Sequence, residues 1–262
     1  MPASDHPIFN SPPDMEIPIW RYMSLARFIW LLQNQALYLA RCDRLGDPYE
    51  GYFTQPMLTK KDEFIQAFIA RQTDLMAHQT DVSPEQIGID FYNSHVKYSL
   101  KMRPLLFVSC WHMNNEESLA MWKLYSTQHE SVCIQSTFST LKRVLPDCCF
   151  LGTVNYIDYA KESITSDNLL QYILHKRHSF AHEKEVRAVI WDVQKIPGIR
   201  DETPIESDPA KIVPIDLNEL IKNVYVSPSS EPLLEDVVEG IVSKYGLKSP
   251  VHRSSVLDGP QY

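Results

Sequence analysis

The chain has 262 residues, 44% hydrophobic and 22% charged, enough to bury the core of one large domain. Its net charge of -8 argues against an extended nucleic-acid footprint, although charge count leaves a local basic groove open. No apolar run is long enough to cross a bilayer, and Met1 to Asp14 lacks the basic start and apolar middle of a signal peptide, so a cytoplasmic setting without membrane contact is expected.

Residues 1–18, rich in Pro, Ser and Asp, read as a flexible N-terminal arm, and 19–262 as a single domain. A short strand is predicted at Ile19 to Met23. A helix begun by Ser24 follows, with Phe28, Ile29, Leu31 and Leu32 on its apolar side, then a strand at Ala36 to Ala40. Asp43 to Pro48 is a turn that continues neither element. Helical patterns at about Thr59 to His78 and Ser83 to Lys101 form a helical insertion at about 59–101. Next come a buried strand at Leu105 to Cys110, a helix at Glu116 to Tyr125, and strands at Ser131 to Thr137 and Gly152 to Tyr156. A helical stretch through Leu169, Leu170, Ile173 and Leu174, capped by Ser166, leads to a strand from Glu185. Asp201 to Pro209 reads as an exposed loop, before strands at Ile212 to Ile215 and Val224 to Val226, a helix at Leu233 to Tyr245 and a last strand near Val251. Strands and helices without regular alternation indicate an α+β fold. The five cysteines are odd in number, form no Cys-x-x-Cys, and are expected to be reduced thiols.

Glycine-rich phosphate loops, a G-x-S-x-G elbow and H-E-x-x-H are all absent, which sets aside the common nucleotidase, dehydrogenase, hydrolase and zincin chemistries. The densest ionisable stretch is His175 to Ile190, where the period changes from helical to strand-like. Alternation sends Glu183, Glu185 and Arg187 to one face, which suits a site that holds one acid ionised. The plain alternative is a solvated edge strand with an i,i+2 ion pair. His175, His178 and His182 would share a helical face if the helix ran on, with Glu183 as a fourth ligand, and this defines an alternative metal-dependent phosphodiesterase or nuclease; the expectation is nonetheless of no metal. Cys110 and His112 could share a strand face as a thiolate-imidazole pair, but Cys110 ending a buried strand and His112 starting a loop is preferred.

Ile19-Trp20-Arg21-Tyr22-Met23-Ser24, Leu37 to Ala40, Asp47-Pro48-Tyr49-Glu50-Gly51, Ser109-Cys110-Trp111, Glu117 to Tyr125, Val132 to Ile134, Lys176-Arg177 and Phe180 to Arg187 together resemble a prokaryotic family, domain of unknown function 2971. The resemblance runs from Trp20 to about Ser254 and implies no particular reaction.

A second pattern does imply one. The opening strand with Arg-Tyr, short helix and second strand resembles the first element of ADP-ribosyltransferases, and Arg21, then Gln135-Ser136-Thr137, then Glu183-Lys184-Glu185 follow the order of one branch of that family. Phe138 departs from its Ser-Thr-Ser, and the helical insertion lengthens the gap after Arg21. The resemblance implies a mixed, split sheet, NAD as substrate, and an enzyme of stress, toxin or phage defence whose protein acceptor is left open. It makes Glu185 the stabiliser of an oxocarbenium-like centre and Glu183 the group that orients or deprotonates the acceptor. Arg21, Tyr22, Ser24, Ser136 and Arg187 become the cofactor-binding set, with Asp47, Glu50, Glu117 and Trp122 at the rim. For the last four the structural readings are a turn for Asp47 and Glu50, and an amphipathic helix with a core aromatic for Glu117 and Trp122. A non-catalytic nucleotide-binding module on the same fold is the remaining alternative.

Overall fold

The computed structural model describes residues 3–71, 82–125, 130–164, 168–195 and 207–260. Within them, nine strands form one mixed sheet in an α+β arrangement, beside a second, two-stranded sheet. The first three elements follow the sequence pattern closely: β1 (Pro18–Ser24), α1 (Leu25–Asn34) and β2 (Ala36–Arg41). Ser24 ends β1 and its hydroxyl accepts the Arg27 N–H, capping α1, while Gln35 closes the helix in the left-handed conformation. Phe28, Leu31 and Leu32 are the buried face of α1.

The centre of the sheet is β3 (Leu106–Met113). One edge pairs along its length with β8 (Glu185–Trp191), from Leu106 opposite Trp191 to His112 opposite Glu185. The other edge is divided: Met113 and His112 pair with Ile19 and Trp20 of β1, whereas Val108 and Phe107 pair with Ala40 and Arg41 of β2. Between these pairings Ser109, Cys110 and Trp111 have no strand partner on that edge, so the sheet forks there. From β1 the sheet continues through β4 (Ser131–Thr137), β10 (Asn223–Val226) and β11 (Val251–Arg253). From β2 it continues to β9 (Ala210–Pro214), and from β8 to β5 (Phe150–Thr153). The sheet is mixed, as expected for an α+β fold, and it forks on β3.

The main core covers one face of the sheet, where Ile19, Phe107, Trp111, Ile134 and Val186 meet α1, Phe138–Val144, Leu217–Leu220 and Leu233–Lys244. The other face is covered by irregular segments, with Leu106, Val108 and Val189 under Leu170, Ile173 and Leu174. Those three sit on a 3-10 helix, Leu169–Leu174, capped by Asn168 rather than the expected longer helix; Ser166 lies outside the described residues. The insertion is built from Gln55–Thr59, Lys61–Arg71 and Pro84–Met102, and residues 72–78 of the predicted first helix lie outside the description. Phe68 stacks on Phe91 at 3.8 Å, and His95 meets the Tyr172 hydroxyl at 2.6 Å, which ties the insertion to the 3-10 helix.

The N-terminal segment departs from the reading of a loose arm. Ala3 and Ser4 donate backbone hydrogen bonds to Lys142 and Cys149, Asn10 accepts from Thr153, and Phe9 stacks on Phe150 at 5.2 Å. The segment covers the free edge of β5, where it satisfies backbone groups that an open strand would leave bare. Gly152 makes this fit possible, since a Cβ there would lie 2.9 Å from the Phe9 Cα. Gly152→Ala is therefore expected to displace residues 3–10, raise their hydrogen-exchange rates and lower unfolding free energy by about 1–3 kcal/mol, read by denaturant titration.

Candidate functional site

A cleft of about 710 Å3 opens at the fork in the sheet. Strand alternation lines it from both faces: Trp20, Tyr22, Cys110 and His112 come from one, Arg21, Met23 and Trp111 from the other. Helix α1 spans the fork because it links the two diverging strands, and it adds Ala26, Arg27 and Trp30 to the wall. Arg44, Leu45 and Gly46 from the turn after β2, Tyr38 and Ala40 of β2, Met121 and Tyr125 of Leu119–Tyr125, and Glu183 and Glu185 complete it.

Three of these residues are arginines without an acid. Among the described residues no carboxylate lies within ion-pairing distance of Arg21, Arg27 or Arg44. Arg21 sits over the Trp111 ring, 5.7 Å from its centroid, and donates to the Tyr38 carbonyl at 3.1 Å across the fork. Burial, helped by Arg27 nearby, pulls its guanidinium down to about 10, still a cation at neutral pH. Uncompensated guanidinium groups beside Trp30, Tyr38 and Trp111 make one wall of an acidic protein suited to an anion that carries a flat group.

The opposite wall backs onto a buried ion cluster. Lys176 Nζ lies 2.6 Å from Glu183, 2.5 Å from Glu185 and 3.3 Å from Glu50. Arg187, fully buried, donates from Nε to Glu185 at 2.7 Å and forks onto both Glu50 oxygens at 2.7 and 2.9 Å. The 3-10 helix His178–Glu183 ends at Lys184, whose φ of 41° is left-handed, and this reversal lets Glu183 and Glu185 meet on the same lysine. Two neighbouring carboxyls then diverge in acidity. Burial and the adjacent Glu185 push Glu183 up to about 8. Burial also acts to raise Glu185, but Arg187, Glu183 and Lys176 outweigh it and hold this carboxyl well below the usual range. At neutral pH Glu183 is protonated and Glu185 ionised, the separation from which acid and base assignments are read.

His112 stands beside them. Its Nδ1 lies 2.6 Å from the Glu183 carbonyl oxygen, Nε2 has no hydrogen-bond partner among the described residues, and burial lowers the imidazole pKa. β3 runs on to Met113, so His112 is a strand residue that shares a face with Cys110 and does not begin a loop. Burial and Glu185 raise the Cys110 thiol well above its normal value, which removes the thiolate reading.

The structure thus brings Arg21, Tyr22, Glu183 and Glu185 to one cleft. Several expected site residues lie elsewhere. Arg187 and Glu50 are buried behind the wall, and Asp47 pairs with Arg177 at 2.7 Å while its side chain caps Tyr49, as a proline turn requires. Ser24 is a helix cap. Ser136 pairs with Ile19 on the core face and donates to Leu220, so register turns it away from Trp20 and Tyr22. Glu117 accepts from the indole of Trp122, which packs edge-on to Tyr22 at 5.0 Å, and neither lines the cleft. The solvated edge strand is also overturned, because β8 has partners on both edges and Glu185 and Arg187 are buried. The histidines share no helical face: His175 begins the strand His175–Arg177 and bonds the Gln171 carbonyl, while His178 and His182 lie in the following 3-10 helix. The sequence reading misses Lys176 as the hub and Arg27 and Arg44 as wall cations, and it sets His112 aside as the start of a loop. Lys176 carried a signal, sitting nine residues before Glu185 in the densest charged stretch.

Residues 121–188 match a family described as a protein of unknown function (DUF2971), a stretch that includes Lys176, Glu183, Glu185 and Arg187 but not Arg21 or Glu50. No curated protein and no solved structure matches the chain, ADP-ribosyltransferases included. Among the described residues no helix is long and apolar enough to cross a membrane.

Two substitutions separate the carboxyls. Glu183 gains proton affinity on folding, so its contribution is full below the unfolded value of 4.5 and is lost as pH rises through about 8. The thermal midpoint of Glu183→Gln, which mimics the protonated acid, is expected to lack this decline relative to wild type between those limits. Glu185→Gln removes the charged acceptor shared by Arg187 and Lys176 but leaves Glu50 and a newly ionised Glu183 to balance them, and is expected to lower stability by roughly 1–3 kcal/mol at pH 7, measured by denaturant titration.

Proposed function

We propose that the cleft binds NAD and that the protein is an ADP-ribosyltransferase-like enzyme acting at the nicotinamide-ribose bond. The observation that supports this best is the pairing of acid-free arginines and an ionised Glu185 on the walls of one cleft. His112 pairs with Trp20 on one side and Glu185 on the other, so β1 and β8 are two strand spacings apart, about 10 Å, within the reach of a dinucleotide.

In this reading Arg21, with Arg27 and Arg44, takes the pyrophosphate, and guanidinium geometry suits paired phosphate oxygens. Glu185 faces the ribose. Lys176 and Arg187 each occupy one lone pair on its two oxygens and the Glu183 carboxyl takes a third, and a carboxylate offers about four acceptor sites, so one remains for a ribose hydroxyl. As the C1′–N bond breaks, its electron pair leaves with nicotinamide, and positive charge grows at C1′ beside a carboxylate already fixed in place. The acceptor then forms the new bond to C1′ and its proton passes to Glu183, whose elevated pKa makes it a stronger base than an ordinary carboxylate once ionised.

Nicotinamide release from NAD tests the reading. Wild type is expected to release it with a rate that climbs as pH approaches about 8, and Glu183→Gln is expected to lose that rise. Arg21→Ala is expected to raise KM about tenfold or more. NAD binding without release would instead favour a nucleotide-sensing module, and failure to bind NAD by calorimetry would end the proposal.

A further inference from the structure

We propose that His112 accepts, at Nε2, a hydrogen bond from a hydroxyl of the ribose that faces Glu185, an inference that rests on the nucleotide reading of the cleft. The geometry begins at the other nitrogen. Nδ1 lies 2.6 Å from the Glu183 carbonyl oxygen, which can only accept, so Nδ1 carries the hydrogen. In the neutral ring Nε2 is then a lone pair. That atom is buried and has no partner among the described residues, although the imidazole belongs to the cleft wall. An acceptor held out of water with nothing to accept carries a desolvation penalty that a ligand donor would relieve. Reaching it requires the wall to adjust on binding.

The donor's chemistry follows from the surroundings. A phosphate oxygen has no hydrogen to give and is repelled by a lone pair, while the arginines on the other wall suit it. A sugar hydroxyl both donates and accepts. His112 is the direct cross-strand partner of Glu185, so imidazole and carboxylate stand on the same face of adjacent strands, about 5 Å apart at the backbone. One ribose placed against Glu185 can therefore offer a hydroxyl to each. Because the Glu183 backbone holds the ring, the same residue that carries the proton at the site also sets the His112 tautomer.

The test compares ADP with ADP-ribose, which differ by that ribose, on wild type and His112→Asn. Asparagine keeps a donor near the Nδ1 position for the Glu183 carbonyl and deletes Nε2. Wild type is expected to prefer ADP-ribose by about tenfold or more in calorimetry, and the variant to show a clearly reduced preference, the part left being that of Glu185, while binding ADP as before. Nitrogen-15 spectra of wild type supply a readout independent of the variant: Nε2 should be unprotonated in the free protein and shift with ADP-ribose but not with ADP. Failure of wild type to bind either probe overturns the nucleotide reading and this inference with it. Binding of both with no preference in wild type, an unchanged preference in His112→Asn, a proton on Nε2, or an Nε2 signal unmoved by ADP-ribose overturns this inference alone. If the asparagine variant loses ADP as well, the wild-type spectra decide.

Discussion

Arg187 is a guanidinium with no exposed surface, and the cost of desolvating it constrains everything around it. Its Nε goes to Glu185, the fork goes to Glu50, and the Ile173 carbonyl takes a further bond at 2.6 Å. Glu50 reaches it only because Asp47-Pro48 turns the chain inward and Gly51 follows at a φ of 65°, a conformation that favours glycine. With Lys176 added, two cations face Glu50, Glu183 and Glu185, one carboxyl more than they balance. The surplus is resolved by a proton on Glu183, the least enclosed of the three acids. The cluster's acidity is thus set by charge balance under burial before any ligand is considered.

The same cluster ties separate parts of the sheet together. Arg187 lies opposite Cys110, on the stretch of β3 whose other edge has no partner, and an unpaired edge inside a sheet needs support from side chains. Arg21 supplies some by donating to the Tyr38 carbonyl across the gap, and α1 supplies more by bridging the diverging strands. Cleft and cluster are two consequences of one topological event. A sheet that parts needs groups to hold both sides, and the space at this fork is lined by both polar and aromatic ones.

What could be read from the sequence divides along physical lines. β1, α1, β2 and β4 were legible because period, cap and turn agree within each segment, as with Ser24 before Phe28, Leu31 and Leu32. The apolar spacing of the 3-10 helix at Leu169–Leu174 also fits the α-helical period, so the sequence alone predicts a longer helix there. Alternation found Glu185 and Arg187 on one face but could not show whether that face meets water, because burial depends on β3 and β5, which arrive from distant sequence. Ser136 fails for a related reason: motif order says nothing of register, and pairing with Ile19 turns it to the core. Arg27 and Arg44 were invisible as site residues because being free of acids is a property of the folded surface.

The position of Glu185 ties stability to chemistry. In the proposed reaction a carboxylate that meets a developing positive charge is most useful when already ionised and immobile, and the contacts of Lys176 and Arg187 favour both. They also screen it. The charge it presents to the cleft is smaller than that of a free carboxylate, so its value there comes from direct hydrogen bonds more than from long-range field. The arginine wall works differently, since Arg27 and Arg44 are exposed and their attraction for an anion weakens with added salt. On the proposed reading, ligand capture in this cleft depends on ionic strength and ligand placement does not, which would locate specificity at the buried wall of Glu183, Glu185 and His112 rather than at the cationic mouth.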